Sequence, residues 1–140
     1  MIVQHITLGC ETRGHDHIVD LTAAVQEAVA ESGARIGQAA LLTHGSTAAL
    51  TTLEYEPGLV NTDVTTALER IAPRNARYEH EETWHDDNGH SHVRASLIGP
   101  SLALPIVEGR VPLGTWQQIV AINFDNRPRV RELTGVIVGG

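Results

Sequence analysis

SLALPIVEGRVPLGTWQQIVAINFDNRPRVRELTGVIV, from Ser101 to Val138, is the stretch on which the fold reading turns. Ser101–Ile106, Arg110–Leu113, Trp116–Phe124 and Val130–Val138 read as strands, with Glu108-Gly109 and Asp125-Asn126 between them. Val, Ile and Leu fit a half-buried pleated surface, whereas Gly, Asp and Asn tolerate tight reversals. Reversals that short join antiparallel neighbours.

Upstream the signals are mixed. Ile2–Leu8 alternates apolar and polar residues like a half-buried strand, and Arg13-Gly14 offers a turn before a short strand near His15–Val19. Leu21, Val25, Ala28 and Val29 then recur at helical spacing, with Asp20 or Thr22 as cap and Gly33 as stop. Ile36–His44 reads as a buried strand with Ala48–Tyr55 as its neighbour, and Pro57-Gly58 breaks the run. A second helix, capped by Asn61 or Thr62, carries Val64, Ala67, Leu68 and Ile71 on one face and stops at Pro73. Residues 74–90 form a long polar connection, and Ser91–Ile98 reads as a two-turn helix capped by Ser91. The expectation is one α+β domain over residues 1–140, with a mostly antiparallel, β-sandwich-like core and two main helices.

Composition narrows the function classes. A net charge of −7 argues against a nucleic-acid or anionic-membrane partner. All ten basic residues are Arg, the better fork for carboxylate and phosphate, so a local cluster could bind an anion, although a high-GC or salt-adapted composition is the plainer explanation. One cysteine, Cys10, excludes an internal disulfide and a cysteine-based zinc cage, and fits a reducing compartment. No apolar run approaches a membrane span, and Met1–Leu8 lacks the pattern of a signal peptide. The expected location is the cytoplasm.

The polar connection holds the densest chemistry. Trp84-His85-Asp86-Asp87-Asn88-Gly89-His90-Ser91-His92 combines three imidazoles with two carboxylates, donors suited to zinc and its neighbours. His90 and His92 are one residue apart, so on extended backbone both rings face one side, and His80 or His85 can complete a three-ligand set. If Ser91 begins a helix, His92 stands at its N-terminus, where free amides favour an anion. Asp86 and Asp87 are candidate ligands, partners fixing a histidine tautomer, or general bases; a solvated acidic turn is the plainer explanation. His44-Gly45-Ser46-Thr47 ends a strand with a glycine and two hydroxyls, an arrangement able to set amides around a phosphate. Trp116 reads as a core or subunit-interface anchor, with Arg110, Thr115 and Gln117 as pocket-lining candidates. His15 and His17 read as a surface pair, and Arg127, Arg129 and Arg131 share a face suited to a solvated edge, a subunit contact or an anion.

Several of these segments resemble one family. Ser101-Leu102-Ala103-Leu104-Pro105-Ile106, Gly109 and Leu113-Gly114-Thr115-Trp116-Gln117-Gln118-Ile119 are similar to the signature of the YjbQ family, also described as secondary thiamine-phosphate synthases. Arg13-Gly14, Asp20-Leu21-Thr22, Tyr78-Glu79-His80, His92-Val93-Arg94-Ala95-Ser96-Leu97, Phe124-Asp125 and Arg127 extend the resemblance over nearly the whole chain. It implies a compact α+β fold assembled as a homotrimer, with a histidine-rich site for a divalent metal: zinc first, with magnesium, manganese or nickel as alternatives. His80 and His92 match the family's histidines. At the Ser46-Thr47-Ala48-Ala49 run, Gly45 rather than His44 falls where relatives carry a histidine, and His90 is the candidate replacement.

The resemblance implies transfer of a pyrimidine pyrophosphate onto a thiazole phosphate, with pyrophosphate released. In that scheme His80, His90 and His92 hold the metal, and Asp86, Asp87, Arg94 and Gln117 are the catalytic candidates. Ser46, Thr47, Arg110 and Thr115 are the substrate-binding candidates, with Arg94, Arg110 or the Ser46-Thr47 amides available for phosphates. A metal-assisted hydrolase and a non-catalytic metal- or small-molecule-binding trimer are the alternatives.

Overall fold

The structure, a computed structural model, describes residues 1–140. Seven strands form two antiparallel sheets. In chain order they are β1 (Ile2–Thr12), β2 (His17–Asp20), β3 (Ile36–Thr43), β4 (Ala48–Glu54), β5 (Ser101–Val107), β6 (Gln117–Asn123) and β7 (Arg129–Gly139). One sheet runs β1-β7-β3-β5 and the other β2-β6-β4. The helices are α1 (Thr22–Ser32), α2 (Val64–Ile71), the single turn α3 (Glu81–Trp84) and α4 (Gly89–Ile98).

The main core lies between the sheets. Ile6, Leu41, Leu104, Leu133 and Ile137 meet Leu50, Ile119 and Ala121, while Val25 and Val29 of α1 close one side. A second cluster sits beyond the three-stranded sheet, where Leu68 of α2 and Ala95 of α4 pack on Ile18, Ala49, Val120 and Ile122. β6 is therefore buried on both faces, which is why it reads as an apolar run rather than an alternation. At the centre Gly135 lies opposite both Ile6 and Leu41, and a Cβ there would stand 2.7 Å from each of their side chains. The missing side chain lets two large residues meet across β7. Pro105 is tolerated because β5 is an edge strand and pairs only with β3.

The α+β, sandwich-like expectation holds, with several local corrections. β4 does not neighbour β3; it pairs with β6 in the other sheet. Arg110–Leu113 is not a strand, because only a bridge from Arg110 to Val107 forms around the Glu108-Gly109 turn. β2 starts at His17, since His15 and Asp16 both take left-handed φ and so cannot continue the strand; His15 and His17 share no face. Neither Asn61 nor Thr62 caps α2. A π-helical turn, Leu59–Asp63, precedes it, and the Glu56 carboxylate accepts the amides of Gly58 and Leu59. α4 begins two residues before Ser91 and runs for ten residues, so it is a third main helix. Trp116 is 73 % exposed in the chain, so it is no core anchor.

Candidate functional site

α4 decides the geometry of the histidines. Asn88 precedes it, and its side-chain oxygen accepts the Ser91 hydroxyl and the Asn126 amide, tying the helix start to the β6–β7 turn. Successive helical residues turn by about 100°, so residues two apart point roughly 200° away from each other. His90 and His92 consequently face opposite ways. They do not make the chelating pair that an extended backbone would give.

His90 faces the interior. It is 2 % exposed, its Nε2 is 3.3 Å from the Ser91 hydroxyl, and its ring centroid is 6.4 Å from that of Tyr78. Burial lowers its pKa, and the Arg94 and Arg74 charges push the same way. These effects favour the neutral imidazole, packed inside beside Ser91 and Tyr78.

His92 points outward against the backbone of Ser46 and stacks on His80, which sits just before α3. Their ring centroids are 4.4 Å apart at 38°. Burial, then the neighbouring His80, lowers the His92 pKa, which keeps a nitrogen lone pair free near neutral pH. His80 Nδ1 is buried without a hydrogen-bond partner and lies 3.5 Å from Asp86 Oδ1. Asp87 is turned out in left-handed conformation, its amide bonded to Glu81. His85 caps α3, also left-handed and exposed.

A polar network lies at the same end of the sandwich. Thr47 Oγ1 donates to Asp125 Oδ2 at 3.0 Å and accepts from Arg131 Nη2 at 2.6 Å. Arg131 Nη2 also reaches Asn123 Oδ1 at 2.6 Å, so this side chain of β7 spans from one sheet to the other. Arg129 pairs with Asp125 at 3.2 Å. Burial works against ionisation of Asp125, but hydrogen bonds from Asn88, the Arg127 amide and Thr47, with the Arg129 charge, hold its pKa below the ordinary value. Asp125 and Asn123 were not among the sequence candidates for catalysis or binding, and Arg131 was only one of three arginines on a face suited to a solvated edge, a subunit contact or an anion. The alternation of Arg127, Arg129 and Arg131 was the available signal, but only the tertiary structure shows that Arg131 turns inward.

Four other candidates lie elsewhere. Arg94 is 0 % exposed and engaged through all three nitrogens: Nε donates to Ala72 O, Nη1 to Asp16 Oδ2 at 2.6 Å, and Nη2 to Glu69. Its fork clamps two carboxylates in the interior, where their charge disfavours a phosphate. Gln117 begins β6 and bonds Thr52 and the Gly114 amide, whereas Asn123 ends that strand beside Thr47. Six strand steps separate the two ends by about 20 Å. Gln117 and the adjoining Thr115 therefore lie far from His92 within one chain, and Arg110 follows the end of β5 that pairs with Ile36, away from the His44 end.

Nowhere in the chain are three or more His, Cys, Asp or Glu side chains grouped to hold a metal ion. The His80–His92 pair has suitable donor chemistry, and the orphaned His80 Nδ1 wants a partner. It nevertheless falls short of the three protein ligands expected of a catalytic zinc site.

The chain matches the family model described as UPF0047 protein YjbQ-like over residues 6–140. It is 35 % identical over 126 residues to a UPF0047 protein of Archaeoglobus fulgidus, covering 90 % of this chain and 94 % of that one. It is 32 % identical over 126 residues to UPF0047 protein YugU of Bacillus subtilis, covering 89 % and 92 %. Among solved structures, a YbjQ-like protein of unknown function from Sulfolobus solfataricus P2 superposes with a TM-score of 0.91 at 30 % identity, covering 99 % of this chain and 98 % of that one. A YjbQ/UPF0047 protein of Clostridium acetobutylicum gives 0.85 at 34 %, covering 95 % and 99 %. The chain belongs to the YjbQ-like UPF0047 family.

Proposed function

We propose that this protein is a transferase acting on small phosphorylated molecules at the His80–His92 end of the sandwich, with activity of the thiamine-phosphate-synthase type. The observation that carries this reading is the meeting of two stacked imidazoles, one with an orphaned nitrogen, with the Gly45-Ser46-Thr47 turn and the Asp125 network. His80 and His92 would hold a divalent ion, zinc before magnesium, manganese or nickel, with a further ligand from solvent, substrate or a second chain. Such an ion would neutralise the charge on a departing pyrophosphate. The chain's own groups supply the rest. Thr47 and Asp125 fix the turn that faces the ligand, and Asp86 beside His80 orients that ring.

Assembly as a homotrimer is part of this reading. The outer face of the β1-β7-β3-β5 sheet exposes Val3, Ile36, Leu42, Val107, Val136 and Val138, an apolar surface of the kind that copies of a chain bury together. Trp116 at the far end is a second exposed anchor. Purified protein incubated with a pyrimidine pyrophosphate and a thiazole phosphate should form thiamine phosphate, and a chelator should stop it. No product at full metal occupancy would remove the transferase reading. The short ligand set specifically favours one alternative, a small-molecule-binding trimer without turnover, which would show saturable binding and no product.

A further inference from the structure

Arg131 is an ionised side chain in an unusual position. It is 7 % exposed, yet no carboxylate lies within ion-pair distance of it. Its only hydrogen bonds use Nη2, toward the neutral acceptors Thr47 Oγ1 and Asn123 Oδ1. Nε is buried without a partner. Asp125, the acid whose charge reaches it, is paired with Arg129 and accepts from Thr47, so Arg131 has no carboxylate of its own. Cys10, directly across the strand pair, adds no negative charge, because burial raises its pKa and keeps the thiol protonated. A buried cation left short of countercharge and hydrogen-bond acceptors costs several kcal/mol, roughly, unless a ligand supplies them.

The turn beside it is short of acceptors too. None of the amides of Gly45, Ser46 and Thr47 donates to a backbone carbonyl. Gly45 has φ +101°, and a Cβ there would stand 2.6 Å from Arg131 Nη1. The glycine thus lets the guanidinium pack directly against the turn, with Nη1 beside its backbone.

We infer that Arg131, together with the amides of Gly45, Ser46 and Thr47, is the subsite that binds a phosphoryl group of the ligand. Nη1, beside the turn and without a partner, can donate to a phosphate oxygen, and backbone amides complete the shell, so the site requires no metal to hold the anion. This deepens the proposed function by naming the anion-binding residue. It also replaces Arg94 and Arg110 in that role.

The test is a titration of the full chain with inorganic phosphate, followed by amide and arginine Nε resonances. Saturable shifts at Gly45, Ser46, Thr47 and Arg131 are expected. Arg131→Gln should weaken phosphate binding by about tenfold or more, the loss of one charge-assisted pair, and Arg131→Lys should restore part of it. Ser46 is exposed, so Ser46→Asp keeps the fold and should weaken binding by repulsion even if Arg131→Gln unfolds. Absence of binding, shifts confined to another region, or equal affinity in wild type and both variants would overturn the subsite. The two readings fail separately. Phosphate bound here without thiamine phosphate production removes the transferase activity alone, whereas product formed by Arg131→Gln at unchanged KM removes the subsite alone.

Discussion

His80 and His92 stack with centroids 4.4 Å apart, while His90, two residues from His92 on the same helix, is buried on the opposite side. The two histidines of the His-Ser-His segment therefore do different work. If the proposed metal site is right, zinc added to the protein should bind, and His80→Ala and His92→Ala should each abolish that binding, measured by elemental analysis after dialysis, whereas His90→Ala should keep the wild-type metal content. The latter should instead lose stability, by an amount of the order of the 2–5 kcal/mol typical of emptying a large buried side chain, read by urea unfolding. Loss of metal in His90→Ala with unchanged stability would contradict this assignment.

Arg94 should behave as a structural cation. Arg94→Met leaves Asp16 buried without its partner and should cost about 3–5 kcal/mol in chemical denaturation. Arg94→Lys should recover little, because one ammonium cannot reach Ala72 O, Asp16 and Glu69 together.

Acid stability should depend on Asp125. Its hydrogen bonds and the Arg129 charge hold its folded pKa below the ordinary aspartate value, so the folded state prefers the ionised form. The stabilisation is fully present above the unfolded pKa and is lost as pH falls through the folded one. Wild type should lose melting temperature steeply below about pH 4, near the ordinary Asp pKa, and Asp125→Asn should flatten that part of the profile while lowering stability at pH 7. Parallel profiles for the two proteins would count against it.

The outer apolar sheet face predicts self-association. Val136, on β7, points outward there, and if the proposed trimer forms through this face, Val136→Glu should shift it to monomer in light scattering while leaving the far-UV spectrum unchanged. A trimer that persists in this variant would place the interface elsewhere.

Gly135→Val tests the core. The added side chain meets Ile6 and Leu41 and should cost about 1–3 kcal/mol through overpacking, visible as a lower unfolding midpoint.

Much of the fold was legible because its signals are local. Alternation marked β1 and β7, helical spacing of Val25 and Val29 marked α1, and Gly33 ends α1 with φ 77° as its position suggested. The misplaced elements were those fixed by partners far along the chain. β4 looked like a neighbour of β3 because it follows closely, yet pairing with β6 buries Ala49 and Leu50 on the two sides of its sheet. Trp116 carried the composition of a core residue and lies at the surface, since burial depends on what surrounds a side chain rather than on its type.

For the site, the sequence alone identified the chemical types, the segment that holds them and the family to which the chain belongs, because motifs and composition are written linearly. Only the tertiary structure decided which groups meet. The helical rather than extended backbone at Gly89–Ile98 separated His90 from His92, and folding brought His80 to the latter. Inward-facing β7 positions placed Arg131 beside Gly45, and the carboxylates of Asp16 and Glu69 claimed Arg94 for the interior. A residue's periodicity gives the side of its own element on which it lies. What it touches there is decided by elements that are distant in sequence and close in space.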